Sequence, residues 1–176
     1  TNFPWSINQK VNYNYTHGSL PVAEKLHEKT FIGILMCKYD LTNKDIDKII
    51  KIASSRNRTV IHNLLPSLAD LMTKADLMLC AGGSTTWERC CLGLPAIVVT
   101  SAKNQRKFTK VLAEDGVHLL LGDSKEINSQ DWFMKICELT RDSDRVKKMS
   151  ILSSSMVDGE GVSRVVSKMH GFSMPI

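Results

Sequence analysis

From Phe31 onward the chain alternates short apolar, β-rich runs with stretches whose apolar positions recur at helical spacing. Phe31–Cys37 (FIGILMC), Asp76–Ala81 (DLMLCA), Ala96–Thr100 (AIVVT) and Val117–Leu121 read as buried strands, and a shorter strand is expected at Thr59–His62. Leu41, Ile46, Ile49, Ile50 and Ala53 mark a helix that Thr42 or Asn43 can cap, and Pro66–Ala75 a second with Pro66 suited to its first turn. Ser84 is placed to cap a helix through Trp87, Glu88 and Cys91, which Gly93 closes ahead of Pro95. Asn104–Asp115 follows with Gly116 as its C′ residue. Ser129–Leu139, Ser143–Ser155 and Gly161–Met169 then read as helices.

Strands that are apolar on both faces must be covered on both faces. The expected fold class is therefore α/β, a Rossmann-like parallel sheet with helices on both faces and right-handed crossovers. The first thirty residues fit the alternation less regularly. Lys10–Tyr15 is a candidate strand and Leu20–Lys29 a candidate helix, joined by a THGS turn that holds His17. At 176 residues the chain is sized for one domain, long enough to bury roughly 70% of its unfolded surface without a metal or disulfide staple.

Composition narrows the functional classes. Hydrophobic residues at 43% and charged residues at 23% are those of a globular domain and exclude disorder. No apolar run approaches the ~18 residues of a bilayer span, so no membrane span is expected. The first thirty residues show no basic segment leading into an apolar core. The five cysteines (Cys37, Cys80, Cys90, Cys91 and Cys137) are odd in number and lack CxxC spacing, which argues against both a disulfide framework and a zinc site. Cys90 and Cys91 read as core-filling residues, and a reducing, cytoplasmic setting fits. A net charge of +5 favours anionic ligands without selecting among them. No basic tract is interleaved with aromatics, so nucleic acid is not the expected partner.

Ligands of open parallel sheets bind beyond the carboxyl ends of the strands. The AGGST loop lies at such an end. Its glycines allow close backbone approach, and the N–H groups of Ser84, Thr85 and Thr86 open the next helix, as a phosphate or diphosphate would require. The alternative is that Gly82–Gly83 only make a tight turn; the loop is neither a Walker loop nor GxGxxG. Glu88, about one helical turn later, is placed either to accept hydrogen bonds from both ribose hydroxyls of a nucleotide or to pair with arginine neighbours and the helix start. Asn104 and Gln105 offer neutral donors at the next helix start. Lys103, Arg106, Lys107 and Lys110 either neutralise a diphosphate or form a solvated face. In His62–Leu65 (HNLL) a base could rest against Leu64 or Leu65. His27, His118 and His170 lack metal spacing, and no Ser-His-Asp order or carboxylate pair stands out, so no catalytic residue is identified.

Taken as a unit, ADLMLCAGGSTTWERCCLGLPAIVVTSAKNQRKFTKVLAEDG resembles the C-terminal domain of nucleotide-sugar enzymes of the GT-B fold. The likeness is closest to the UDP-sugar hydrolase of pseudaminic acid biosynthesis and the spore-coat polysaccharide proteins. It is more distant to the transferase that adds N-acetylglucosamine to lipid I in peptidoglycan synthesis. AGGSTTWE-x-CCLGLP followed by NQ carries the resemblance, and the tail Asp158–Val166 (DGEGVSRVV) extends it, so that it covers roughly residues 59–169. It implies a UDP-sugar site without a cofactor or metal. Glu88 would hold the ribose, Gly82, Gly83, Ser84 and Thr85 would cradle the diphosphate, Asn104 and Gln105 would approach the phosphate or sugar, and the loop around Leu64 would hold the uracil.

The resemblance further implies that the chain is one half of a two-domain or fused protein of sialic-acid-like or surface-polysaccharide sugar synthesis, a hydrolase or a glycosyltransferase. The proposed catalytic histidine of the hydrolase would lie in the N-terminal half. Relatives carry a GGxD-like first turn where this chain offers THGSLP, so His17 is not assigned as the catalyst. Two other readings follow from the residues. One is a non-catalytic nucleotide-sugar-binding or assembly domain fused to a sugar nucleotidyltransferase. The other is a nucleic-acid-binding domain using Lys103–Lys110, with the steep salt dependence such charge would give.

Overall fold

The computed structural model describes residues 32–34, 42–56, 59–62 and 65–171. The expected elements at Lys10–Tyr15 and Leu20–Lys29, with His17, His27, Phe31, 35–37 and Leu64, lie outside the described residues.

Four strands form one parallel sheet in the order β1 (Ile32–Ile34), β2 (Leu77–Ala81), β3 (Ala96–Thr100) and β4 (Leu119–Asp123). The connections are helical: α1 (Asn43–Ser54) and α2 (Ala69–Met72) before β2, α3 (Thr85–Cys91) before β3 and α4 (Lys103–Glu114) before β4. Three further helices, α5 (Ser129–Arg141), α6 (Ser143–Met156) and α7 (Gly161–Gly171), complete the described chain. This is the Rossmann-like α/β architecture expected from the alternation.

Every residue of β2 and β3 is buried, and their side chains divide between two faces. Met78, Cys80, Ala96 and Val98 pack with Met72, Ala75 and Leu94 on one. Leu77, Leu79, Ile97 and Leu119 meet Leu139 of α5 and Met149 of α6 on the other. A third cluster of Cys90, Leu112 and Val117 joins α3, α4 and the approach to β4. The helix ends follow local chemistry. Thr42 and Asp45 form a capping box at α1, Asn128 and Asp131 another at α5, and Asp142 caps α6. Gly93 (φ 64°) and Gly116 (φ 76°) end α3 and α4 in the left-handed conformation.

Three expected elements differ. Thr59–His62 forms no strand, and Val60 is 72% exposed. The sheet seats β1 directly against β2, leaving no place between them for this short apolar run. The helix expected over Pro66–Ala75 shrinks to α2, because the chain must straighten for Ala75 and Asp76 to enter the core ahead of β2. The last strand begins two residues later than Val117. Val117 N–H closes the end of α4 on Leu112 O (2.9 Å), and His118 turns its ring back onto Thr109. The strand then runs on through Gly122, past a register shift at Val98/Val99.

Candidate functional site

The carboxyl ends of β2 and β3 lead into two loops, with Gly82, Gly83 and Ser84 on the first, Thr85 and Glu88 on α3 beyond it, and Asn104 and Gln105 in the first turn of α4 beyond the second. After Ala81, Gly82 N–H donates to Val99 O (2.9 Å), holding the first loop to the neighbouring strand. A Cβ at Gly82 would lie 2.5 Å from Thr109 Oγ1 and 3.1 Å from its Cγ2. Only glycine lets α4 approach β2 this closely. Thr109 was not singled out from the sequence, although it lies one turn beyond Gln105 on the same face of α4.

Gln105 lies between the two loops. Its Oε1 accepts from Ser101 N–H (2.9 Å) and from Ser101 Oγ (3.2 Å). The amide nitrogen is thereby left facing the other way, 3.9 Å from the Cβ position of Gly83. Asn104, beside it, is exposed with no side-chain partner among the described residues.

Helix α3 divides into two sides. Thr86, Arg89 and Cys90 are buried, whereas Ser84 and Glu88 are exposed and Thr85 is half-buried. Residues three and four apart share a helix face, so Ser84, Thr85 and Glu88 form one polar row. Ser84 takes the expected N-cap position but not the capping role. Its backbone is helical, its side chain makes no cap hydrogen bond, and its hydroxyl has no partner among the described residues. Glu88 likewise has no ion pair among them. The alternative pairing with an arginine falls away, because Arg89 turns into the core.

The basic run is divided. Arg106 pairs with Asp123 at the end of β4 (2.6 Å), whose carboxyl is held below the usual range by Lys125 N–H and the Arg106 guanidinium. Lys110 approaches Glu114 (3.8 Å) on the exposed face of α4. Lys103 and Lys107 remain exposed.

Burial pushes the Cys90 and Cys91 thiols up, so neither is an activated nucleophile. His62 is exposed on the stretch between α1 and α2. The Leu64 position lies outside the described residues, and with it the expected base contact. No group of three or more metal-ligating side chains converges among the described residues.

Behind the row, Arg89 is fully buried. Its Nη1–H donates to Leu94 O (2.8 Å) and its Nη2–H to His118 Nδ1 (3.4 Å), while Nε finds no partner. His118 Nε2–H donates to Thr109 O (3.0 Å). Burial, and then the neighbouring guanidinium, lower the His118 pKa to about 4, so the ring is neutral. Nothing in the spacing of Arg89 and His118, 29 positions apart, signals this pairing.

Comparison with known proteins agrees with this architecture. Residues 20–161 match the family model of the glycosyltransferase family 28 C-terminal domain. The spore coat polysaccharide biosynthesis protein SpsG of Bacillus subtilis (strain 168) is 29% identical over 113 residues, covering 57% of this chain and 30% of its own length. Among solved structures, Acinetobacter baumannii MurG superposes with a TM-score of 0.63 at 13% identity, over 98% of this chain and 54% of its own. The Neisseria meningitidis UDP-GlcNAc 2-epimerase, bound to UDP-GlcNAc, gives 0.59 at 19% identity, over 86% of this chain and 39% of its own. The chain thus spans about half or less of the proteins it matches. No helix among the described residues is long and apolar enough to cross a membrane. With four-fifths of its length matched, the chain belongs to the glycosyltransferase family 28 C-terminal domain family.

Proposed function

We propose that this domain binds the nucleotide of a UDP-sugar and forms one lobe of a nucleotide-sugar hydrolase or glycosyltransferase of surface-polysaccharide or sialic-acid-like sugar synthesis. The observation that carries the reading is the exposed carboxylate of Glu88, one turn from the hydroxyl of Ser84 at the start of α3, both without a side-chain partner among the described residues. In this reading Glu88 accepts hydrogen bonds from both ribose hydroxyls. Gly82, Gly83, Ser84 and Thr85 line the diphosphate, and the Gln105 amide nitrogen and Asn104 reach the phosphate or sugar. The loop at Leu64 holds the uracil. Fixed amide donors would stabilise charge developing on the UDP leaving group without having to reorient during the reaction.

The attacking water or sugar hydroxyl, and the base that activates it, belong in this reading to a second lobe. Supporting that, Val162, Val165, Val166 and Met169 of α7 form one apolar stripe at helical spacing, and all four are exposed. The free thiols of Cys90 and Cys137 fit a cytoplasmic setting.

Calorimetric titration with UDP, and with CMP and ADP as controls, tests the reading. Saturable binding of UDP, tighter than that of either control, is the expected result. Equal binding of all three would reduce the site to a general anion site, and no binding in a protein that also carries its second lobe would remove it.

A further inference from the structure

The buried polar chain behind α3 has no part in the ligand contacts proposed above, yet it joins the elements that make them. Arg89 follows Glu88 directly and points into the core, where it is fully buried with no ion pair among the described residues. Burying a guanidinium against neutral partners is costly, and an apolar residue would fill the same space more cheaply. The neutral partners are specific. Leu94 O lies beyond the turn that ends α3, and His118 Nδ1 lies at the entry to β4. His118 passes the connection to α4 through Thr109 O. Thr109 in turn donates its hydroxyl to Gln105 O and packs on Gly82. The chain of contacts thus starts beside Glu88 and ends beneath Gly82, Gly83 and Gln105.

We propose that Arg89 and His118 are positioning residues, forming a buried strut that fixes the spacing between the Glu88-bearing helix α3 and the Gln105-bearing helix α4. The inference rests on the nucleotide-site reading for its effect on binding, but its geometric content stands without a ligand. Above the strut, α3 and α4 touch through Trp87 and Phe108, whose ring centroids are 4.9 Å apart at 53°. That contact reports the spacing. Only the imidazole tautomer with hydrogen on Nε2 serves both neighbours, accepting from Arg89 and donating to Thr109. A glutamine side chain has an acceptor and a donor to offer in the same places, and a leucine has neither.

The experiment compares His118→Gln and His118→Leu in the 176-residue chain, with and without UDP. In the absence of nucleotide, cross-relaxation between the Trp87 indole and the Phe108 ring should persist in His118→Gln and weaken or vanish in His118→Leu. On titration, UDP affinity should stay within about threefold of the parent in His118→Gln and fall about tenfold or more in His118→Leu, as for one lost charge-assisted hydrogen bond. Equal Trp87–Phe108 contacts in the two folded variants would overturn the strut, as would equal UDP affinities. Should the leucine variant not fold, the unchanged protein still decides. The 15N shifts of His118 should report hydrogen on Nε2 alone, with and without UDP, and hydrogen on Nδ1 would overturn the proposal. If the parent protein itself takes no UDP, the nucleotide reading fails, and the strut stands or falls on the ligand-free ring contacts.

Discussion

Replacing Glu88 by alanine is expected to weaken UDP binding by about tenfold to a hundredfold while leaving the folded state intact. A carboxylate that accepts from two ribose hydroxyls makes charge-assisted hydrogen bonds, and losing one such interaction costs about 1.5–3 kcal/mol. Folding should hardly respond, because Glu88 is exposed and makes no ion pair or side-chain hydrogen bond among the described residues. Its structural service among the described residues is a favourable charge near the start of α3, worth about 0.5 kcal/mol, and alanine's helix propensity offsets part of that. The two roles separate in one pair of measurements, UDP titration and urea unfolding of the same variant. A lowered unfolding midpoint with unchanged UDP affinity would return Glu88 to a surface residue and remove the ribose assignment.

Folding stability should fall by about 2 kcal/mol between pH 7 and pH 5 on account of His118 alone. Its pKa is lowered from 6.5 to about 4 in the folded protein, first by burial and then by Arg89. Between those two values the unfolded chain binds a proton that the native state refuses. The stabilisation is therefore intact above the unfolded pKa, is lost as pH falls below it, and is about 3 kcal/mol lower once pH drops under the folded value. Urea unfolding of the parent and of His118→Gln at both pH values isolates the contribution. The parent should lose about 2 kcal/mol more than the glutamine variant, and parallel losses would show that His118 is not held neutral in the core.

The contrast between these two residues shows what the sequence made legible. The turn from β2 into α3 was readable because local rules converge on it: a buried strand, two glycines and a helix start, with Glu88 one turn on as the candidate carboxylate. The same locality made the caps at Thr42 and the stops at Gly93 and Gly116 visible. What stayed hidden depends on contacts between distant segments. Val60 and Ile61 have strand-like character, yet they lie exposed and pair with none of the described strands. Ser84 suits an N-cap by residue type, but its helical backbone leaves the hydroxyl free. Thr109 matters because α4 crosses close over Gly82, and the Arg89–His118 pair exists only once α3 and the β4 entry are packed together. Helical periodicity places Arg89 on the inner face of α3, but no local rule makes a charged residue a core residue without its partner in view.

The most direct test of the site is to ask where UDP lands. Adding UDP to the 15N-labelled chain should shift the backbone amides of Gly83, Ser84 and Thr85 and the side-chain amide of Gln105, with one common affinity, while α5 and the exposed face of α7 stay unmoved. Saturable UDP binding that leaves those amides in place would contradict the account, because the nucleotide would then be held somewhere other than the ends of β2 and β3.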